Sequence, residues 1–246
     1  MDKLKLKSKL FESRLRINFH DLKEIKQKLT ICEKLGIQNV ILEPKIDQDV
    51  INTKKKREIQ DLTEINLFFR RTYNIKNLHT LKQKIRKFNK VEEIISIESS
   101  DKDVQNYAAR DSRIDLISFS NYGLLKSFSD GVVSLAKQYN TYIELCLKSV
   151  MIEKRSYQSK IFRSLFKLIH MGIDGKLILS GDFKNLYDLR HPRSLISIVH
   201  TLFEMPLSKA KLAFSSNVLS LLEKVQLRTN PALYEDGVKL IKKEKN

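Results

Sequence analysis

The chain of 246 residues has no tryptophan, two cysteines, four prolines and seven glycines. Cys32 and Cys146 are too few for a disulfide framework or a four-cysteine zinc site, and they fit a reducing cytoplasm. The glycines form neither a G-x-G-x-x-G nor a G-x-x-x-x-G-K-[ST] pattern, so the common dinucleotide and P-loop signatures are absent. Because there is no uncharged apolar run of about 18 residues, and no signal-peptide core in MDKLKLKSKL, we expect neither a membrane partner nor export.

Positive charge is what the chain has in excess. Lys and Arg number 46 against 29 Asp and Glu, which gives a formal net charge of +17. A field of this sign attracts polyanions, and nucleic acid is therefore the first partner to consider. The alternative is that the abundant lysines reflect a general compositional bias and not selection for binding. The apolar content of 41% excludes a disordered chain and is sufficient for one large core.

Short β-branched apolar runs alternate with longer segments of helical spacing, a pattern that indicates βα units and a parallel sheet. Seven such units in about 250 residues favour an α/β fold of the (β/α) barrel type over an open sheet. We expect parallel strands to be continuously apolar, because helices cover them. The predicted strands are Arg14–Phe19, Asn39–Leu42, Glu64–Phe69, Ile94–Glu98, Ile114–Phe119, Thr141–Leu147 and Lys176–Leu179. The predicted helices are Asp21–Leu35, Leu78–Phe88, Asp101–Arg110, Asp130–Tyr139, Ser156–Met171 and Leu195–Phe203.

The organisation is that of a single domain over residues 1–230, followed by a basic tail, residues 231–246, which we expect to be mobile. One polar excursion, Pro44–Asp61, interrupts the barrel pattern. It carries the sequence KKKR at Lys54–Arg57, which is either a solvated helix face or a patch that contacts phosphates.

No self-contained active site stands out. None of the five histidines forms HxH, HExxH or HxxxH, and the best metal-site fragment is His20 with Asp21, where Asp21 is better explained as a helix cap. Ser180 and Asp182 lack the G-x-S-x-G elbow and are expected to shape a turn and cap the next helix. Carboxylates inside or beside predicted strands allow an acid/base role, but pairing with inward Arg or Lys is the stronger interpretation. These carboxylates are Glu98, Asp115 and Glu144.

Arginines that could contact an anion or RNA occur in three pairs, of which Arg190 with Arg193 and Arg110 with Arg113 are the best placed. Arg190 and Arg193 flank His191 and Pro192 at the start of a predicted helix, where guanidinium groups and free N–H groups suit a phosphate, although pairing with Asp188 is equally possible. Arg110 and Arg113 stand before the fifth predicted strand. Arg70 and Arg71 follow the third predicted strand, beside aromatic residues that could stack on bases or pack in the core.

The segment from Asp188 to Ser215, DLRHPRSLISIVHTLFEMPLSKAKLAFS, resembles the C-terminal signature of the archaeal ribonuclease P protein component 3 family. Upstream, RDSRIDLISF and LILSG are similar to two of the family's strand motifs, and the resemblance covers Arg110 to Lys224. The family's usual Arg-Pro after the sixth strand is Lys148-Ser149 here, and two further positions depart from the signature, Ser194 and Glu204. The matching positions are Arg190, Pro192, Arg193, Leu195, Ile196, Ser197, Met205, Lys209 and Ala210.

The resemblance implies a TIM-like barrel related to the polymerase and histidinol phosphatase superfamily, with most metal-binding histidines lost. It implies a cytoplasmic subunit that binds ribonuclease P RNA and, together with another small protein subunit, supports removal of the 5′ leader from precursor tRNA. The chain itself is then not catalytic and binds no cofactor, and Mg²⁺ belongs to the partner RNA. The alternative is a free-standing metal-dependent phosphoesterase of the same superfamily. The RNA-binding candidates are Arg110, Arg113, Lys148, Arg190, Arg193, Lys209 and Lys211.

Overall fold

Seven strands, each followed by at least one helix, build the molecule and confirm the predicted barrel. The computed structural model describes residues 10–45, 51–88, 91–151, 155–183, 185–229, 233–235 and 238–239. The strands are β1 (Glu12–Ile17), β2 (Asn39–Pro44), β3 (Asn66–Asn74), β4 (Ile94–Glu98), β5 (Leu116–Phe119), β6 (Tyr142–Cys146) and β7 (Leu177–Ser180). The helices are α1 (Leu22–Lys34), α2 (Thr53–Gln60), α3 (Leu78–Ile85), α4 (Lys102–Arg110), α5 (Tyr122–Ser127), α6 (Asp130–Gln138), α7 (Arg155–Ile169), α8 (Pro192–Leu202), α9 (Leu207–Ala213) and α10 (Ser216–Thr229).

The strands are parallel and pair in sequence order from β1 to β7. The circle is nearly closed, because Leu15 in β1 forms a parallel bridge with Phe183 just after β7. Gly181 allows this closure, because a Cβ at its position would lie 2.2 Å from the Phe183 ring and would clash with it. The carboxyl ends of all seven strands therefore open at one end of the barrel, which we call the C-terminal face.

Side chains alternate along each strand between the barrel interior and the helix layer. Those that face the helices are apolar, such as Val40, Leu42, Ile143 and Leu145, and they join the main core. Those that face the interior are charged or polar in the middle of the barrel. The expectation of continuously apolar strands is therefore wrong for the inner face, because charged groups there neutralise one another.

Helix starts follow local capping chemistry. Asp21 accepts a hydrogen bond from the Glu24 N–H at 2.9 Å, which confirms that it caps α1. Asn52, Asn77 and Asp101 cap α2, α3 and α4 in the same way. The KKKR sequence thus lies on α2, a helix within the Pro44–Asp61 excursion, of which residues 46–50 lie outside the described part.

The end of the barrel opposite the C-terminal face is closed by an apolar layer under α10. Inward side chains at the strand starts form this layer, and Val218, Leu221 and Val225 of α10 pack on it. Arg228 at the end of α10 pairs with the buried Asp115 at 2.7 Å and donates to the carbonyls of Val91 and Glu93. The strand residues of the layer are Ile41, Phe68, Ile94, Leu116, Tyr142 and Ile178, and Phe11 joins them from just before β1.

Several boundaries differ from prediction. β3 continues through Arg70 and Arg71 to Asn74, because those charges are matched inside the protein and do not end the strand. α5, α9 and α10 were not predicted as separate helices. Within the predicted tail, Leu233–Glu235 and Val238–Lys239 form two short antiparallel strands, and residues 240–246 lie outside the described part. Among the described residues, no helix combines the length and apolarity that crossing a bilayer requires.

Replacing Arg228 tests whether α10 is an integral barrel closure. We expect Arg228→Met to lower the free energy of unfolding by about 3 kcal/mol, because Asp115 keeps its buried charge without its principal partner. Urea unfolding followed by circular dichroism measures the change. The exposed Glu223→Ala on the same helix is the control and should change stability by less than about 0.5 kcal/mol. Equal effects of the two variants would contradict a closing role for Arg228.

Candidate functional site

Two arginines occupy the middle of the barrel. Arg70 of β3 forms a bidentate pair with Glu144 of β6, at 2.7 and 2.9 Å, and its Nε lies 2.9 Å from Glu43. Arg14 of β1 pairs with Glu43 at 2.8 Å and with Glu98 at 2.8 Å. All five side chains are at least nine-tenths buried. The pairing predicted for Glu98, Asp115 and Glu144 is thereby confirmed, with Asp115 held by Arg228.

Hydroxyl and thiol groups complete this network. Ser118 of β5 donates to Glu144 at 2.6 Å and accepts from Arg14 at 2.8 Å. Ser180 donates to the Cys146 thiol at 3.4 Å, and Asp182 pairs with Arg16 at 2.5 Å. The prediction that Asp182 caps a helix is wrong, because its carboxylate is committed to Arg16 at the C-terminal face.

The buried carboxylates of the barrel differ in pKa. Burial disfavours ionisation of Glu144, but the charges of Arg70 and Arg14 outweigh it and lower the Glu144 pKa to about 2. The pKa of Glu43 is lowered for the same reason, with burial again overcome by its arginine partners. Both groups are therefore anions at neutral pH, and each is matched by a guanidinium group.

Glu12 at the start of β1 behaves in the opposite way. Burial raises its pKa to about 8, against the lowering effect of hydrogen bonds from the N–H groups of Arg14 and Gly181, both at 3.1 Å. Its second oxygen, Oε2, is buried and has no hydrogen-bond partner among the residues that the structure describes. The carboxyl is therefore protonated at neutral pH, because a neutral acid costs less to bury than an unpaired anion.

This donor set does not fit a divalent metal. The carboxylates of the barrel centre already face guanidinium groups, and these cations would repel a metal ion placed among them. In the described part of the chain, no group of three or more His, Cys, Asp or Glu side chains is arranged to hold a metal. His20 is exposed, and its partner in the proposed fragment, Asp21, serves as a helix cap.

An open pocket of about 370 Å³ lies above the network at the C-terminal face. Arg16, Glu98 and Asp182 form its floor, and Lys148 stands at its side, 3.8 Å from Asp188. The pocket thus contains charges of both signs. Lys148 occupies the position that follows β6, as predicted, and its charge is only partly matched.

The segment after β7 carries the arginines of the RHPR sequence at the same face. Arg190 donates to the carbonyls of Tyr187 and Leu189, at 2.7 and 2.9 Å, and Arg193 is exposed on the first turn of α8. Neither forms an ion pair with any described residue, so the alternative of pairing with Asp188 is wrong. Tyr187 is 90% exposed.

His191 changes how an anion could bind at this helix start. Its Nδ1 accepts from the Arg193 N–H at 2.9 Å, and its carbonyl accepts from the Ser194 N–H at 2.9 Å. Burial and the neighbouring charge of Arg193 lower the His191 pKa, which keeps Nδ1 available as an acceptor. The backbone groups predicted to bind an anion are therefore already used, and the arginine side chains remain for that purpose.

The other sequence candidates lie elsewhere. Arg110 and Arg113 end α4 and precede β5, at the opposite end of the barrel from the RHPR sequence, and Arg113 pairs with Asp111 at 2.7 Å. Lys209 and Lys211 are on α9, which packs beside β7. The structure brings together Lys148, Arg190 and Arg193 at the C-terminal face and separates them from Arg110 and Arg113.

Sequence reasoning missed Tyr187 and the Arg14–Arg70 network. The network has a signal in the sequence, because Arg14, Glu43, Arg70 and Glu144 each stand between or next to outward apolar residues of a strand. Tyr187 has none, because exposure depends on how the loop folds against its neighbours.

Residues 13–230 match the protein family described as RNase P subunit p30. The chain belongs to the ribonuclease P subunit p30 family. A curated relative, ribonuclease P protein component 3 of Methanocaldococcus jannaschii, is 29% identical over 170 residues, which cover 67% of this chain and 71% of the relative. The resemblance seen at the RHPR sequence is thus confirmed.

Solved structures show the same fold. A chain in a cryo-EM structure of archaeal ribonuclease P with mature tRNA matches 96% of this chain and 100% of its own length, with a TM-score of 0.77 and 19% identity. A probable 2-pyrone-4,6-dicarboxylic acid hydrolase from Acinetobacter baumannii matches 88% and 100%, with a TM-score of 0.59 and 9% identity. An organophosphorus hydrolase mutant from Deinococcus radiodurans matches 87% and 92%, with a TM-score of 0.54 and 10% identity. The p30-family chain therefore shares its barrel with hydrolases.

Removing one member of the central network tests its structural role. We expect Arg70→Met to lower the free energy of unfolding by about 3–5 kcal/mol, because Glu144 and Glu43 lose a buried partner. The double variant Arg70→Met/Glu144→Leu should recover a large part of that loss, since it removes the stranded charge as well. Urea unfolding measures both variants. A double variant less stable than the single one would argue against charge matching as the cause.

Glu12 gives the protein a distinctive dependence of stability on pH. The folded-state pKa, about 8, exceeds the ordinary value of 4.5, so the contribution of Glu12 to the free energy of unfolding is complete below pH 4.5 and is lost as pH rises to about 8. We expect Glu12→Gln to remove this loss. The difference in free energy of unfolding, variant minus wild type, should then be a few kcal/mol larger at pH 8 than at pH 5. Urea unfolding at both pH values measures it, and an unchanged slope would contradict a protonated Glu12.

Proposed function

We propose that this p30-family chain is a protein subunit of ribonuclease P that binds the catalytic RNA and supports endonucleolytic removal of the 5′ leader from precursor tRNA in the cytoplasm. The chain supplies no catalytic residues. Cleavage belongs to the partner RNA and its Mg²⁺, and another small protein subunit completes this part of the assembly. The family match and the name of the curated relative support the assignment to ribonuclease P.

The observation that carries the RNA-binding part is the group formed by Tyr187, Arg190 and Arg193, which we call the RHPR cluster. An exposed aromatic ring offers a stacking surface for an unpaired base, and two arginines with no carboxylate partner in the described part of the chain offer charge for the flanking phosphates. Lys148, beside Asp188 in the neighbouring pocket, extends the positive surface. This combination favours RNA over a small metabolite.

The buried network supports the same conclusion. Its arginines and carboxylates pair with one another inside the barrel, so the basic excess of the chain lies outside the barrel interior. A protein with a catalytic centre of its own would need free acid, base or metal-binding groups at the C-terminal face. Here the charged residues at the carboxyl ends of the strands, Arg16, Glu98 and Asp182, are committed to ion pairs.

Substitutions in the RHPR cluster test RNA binding. Arg190→Ala and Arg193→Ala should each weaken binding to the cognate ribonuclease P RNA and reduce the slope of log affinity against log salt by about 1. Tyr187→Ala should cost about 1–3 kcal/mol of binding free energy, and Tyr187→Phe should retain most of it because the ring remains. Fluorescence anisotropy with labelled RNA at several salt concentrations measures each change.

Lys137→Ala on α6 is the matched control, since it removes one exposed positive charge away from the cluster. Thermal unfolding of each variant separates binding from stability. Unchanged RNA affinity with lowered stability would make the cluster structural. Cleavage of precursor tRNA by the reconstituted RNA, with and without the chain and its small partner, tests the subunit role. Turnover by the chain alone, without RNA, would contradict it.

A further inference from the structure

A second basic site lies on the flank of the barrel, between α2 and α3. It is an open pocket of about 410 Å³, which we call the flank pocket, and four cationic side chains and two carboxylates line it. Tyr73 and Phe88, stacked with 4.9 Å between ring centroids, contribute its aromatic wall. The cationic residues are Lys56, Arg71, Lys84 and Lys87, and the carboxylates are those of Glu92 and Glu93.

Arg71 provides the main evidence that this pocket binds a ligand. It leaves β3 on the outer side of the barrel, is only 6% exposed, and pairs with Glu93 through Nη2 at 3.1 Å. Its Nε–H is buried and has no hydrogen-bond partner in the described part of the chain. A buried donor without an acceptor destabilises a protein, so a ligand that supplies an oxygen there would be held by this N–H group.

The two carboxylates of the pocket do not neutralise all of its cationic side chains. Glu93 is shared between Arg71 and Lys56, whose Nζ lies 2.5 Å from it, and Glu92 is a looser partner of Lys56 at 3.4 Å. Lys84 lies over the Tyr73 ring at 5.1 Å and, like Lys87, has no ion pair with any described residue. The pocket therefore keeps a surplus of positive charge.

The surrounding surface extends this surplus. The sequence TKKKREIQ of α2 has four basic residues and one acidic residue, and LHTLKQKIRKF, which covers α3 and the short 3₁₀ helix after it, has four basic residues and no acidic one. Side by side, the two helices form a face that we call the flank surface. A surface of this extent suits the repeated charges of a polyanion better than the single carboxylate of a protein partner.

We propose that the flank pocket binds a backbone phosphate of RNA, with Arg71 donating through Nε and with Lys84 and Lys87 neutralising its charge. The inference rests on the proposed function, because it supposes that the chain meets RNA. It adds a second contact region, on a different side of the barrel from the RHPR cluster. It also assigns the KKKR sequence to an RNA-facing helix.

The test is a double variant, Lys84→Ala/Lys87→Ala, in the full chain. We expect affinity for the cognate ribonuclease P RNA to fall roughly tenfold near 0.1 M salt and the salt slope to fall by about 1, because the two lysines neutralise one phosphate. The control is Lys126→Ala/Lys137→Ala, which removes two exposed lysines from α5 and α6 across the barrel. Equal losses in the two double variants would overturn the proposal.

A second measurement reports on Arg71 directly. In protein labelled with ¹⁵N-arginine, the Nε–H signal of Arg71, assigned by its absence in Arg71→Lys, should shift saturably when inorganic phosphate is added. The shift should weaken in Lys84→Ala/Lys87→Ala and remain in the control variant. No shift would overturn the proposal. A shift without any loss of RNA affinity in the double variant would reduce the site to an inorganic-anion site and would also overturn it.

The outcomes separate this proposal from the proposed function. If the wild-type chain shows no salt-dependent RNA binding, the proposed function fails. If the wild type binds RNA and the double variant binds equally well, only the flank pocket fails. If the double variant loses affinity for the small protein subunit and keeps its RNA affinity, the pocket binds an acidic residue of that protein, and the RNA assignment is wrong.

Discussion

The charge pairing of Arg14 and Arg70 inside the barrel is the constraint on which the rest of the structure depends. Five strands place a charged side chain in this buried region, and an unpaired charge there would cost several kcal/mol. Each partner comes from a different strand: Arg14 from β1, Glu43 from β2, Arg70 from β3, Glu98 from β4 and Glu144 from β6. The network therefore specifies the circular order and mutual register of the strands as well as filling the barrel.

The same pairing determines what the barrel can do. The C-terminal face of a (β/α) barrel is where catalytic groups of such enzymes gather. In this chain the inward residues near that face satisfy one another, and Arg16 with Asp182 continues the pattern up to the floor of the open pocket. Under the proposed function, RNA is therefore bound by groups that the barrel holds but does not neutralise, the cationic residues of the loops and outer helices.

Sequence patterns predicted the barrel because strands and helices differ in the period of their apolar residues and in their length. Both features are visible in the sequence without knowledge of tertiary contacts. β4 was predicted with its observed bounds, Ile94–Glu98, since its apolar run begins and ends abruptly. The end of β3 was misplaced because Arg70 resembles a strand terminator until Glu144, 74 positions away, is known to meet it. Likewise, the position of α10 under the barrel could not be predicted, because the sequence of an amphipathic helix does not identify the apolar surface on which it packs. The RHPR sequence was found, and the exposed Tyr187 beside it was not.

Net charge, which first suggested nucleic acid, is a weak argument until the charges are sorted by their partners. Arg14, Arg70 and Arg228 contribute to the formal excess but are fully committed to buried carboxylates and backbone carbonyls. Arg190, Arg193, Lys84 and Lys87 contribute the same unit charge and have no carboxylate partner among the described residues. Only the second kind raises the potential that an approaching RNA meets, because a neutralised buried pair has little field beyond its immediate surroundings. Those four residues lie at two separate places, so a single RNA that contacts both must follow the barrel from its C-terminal face to its flank.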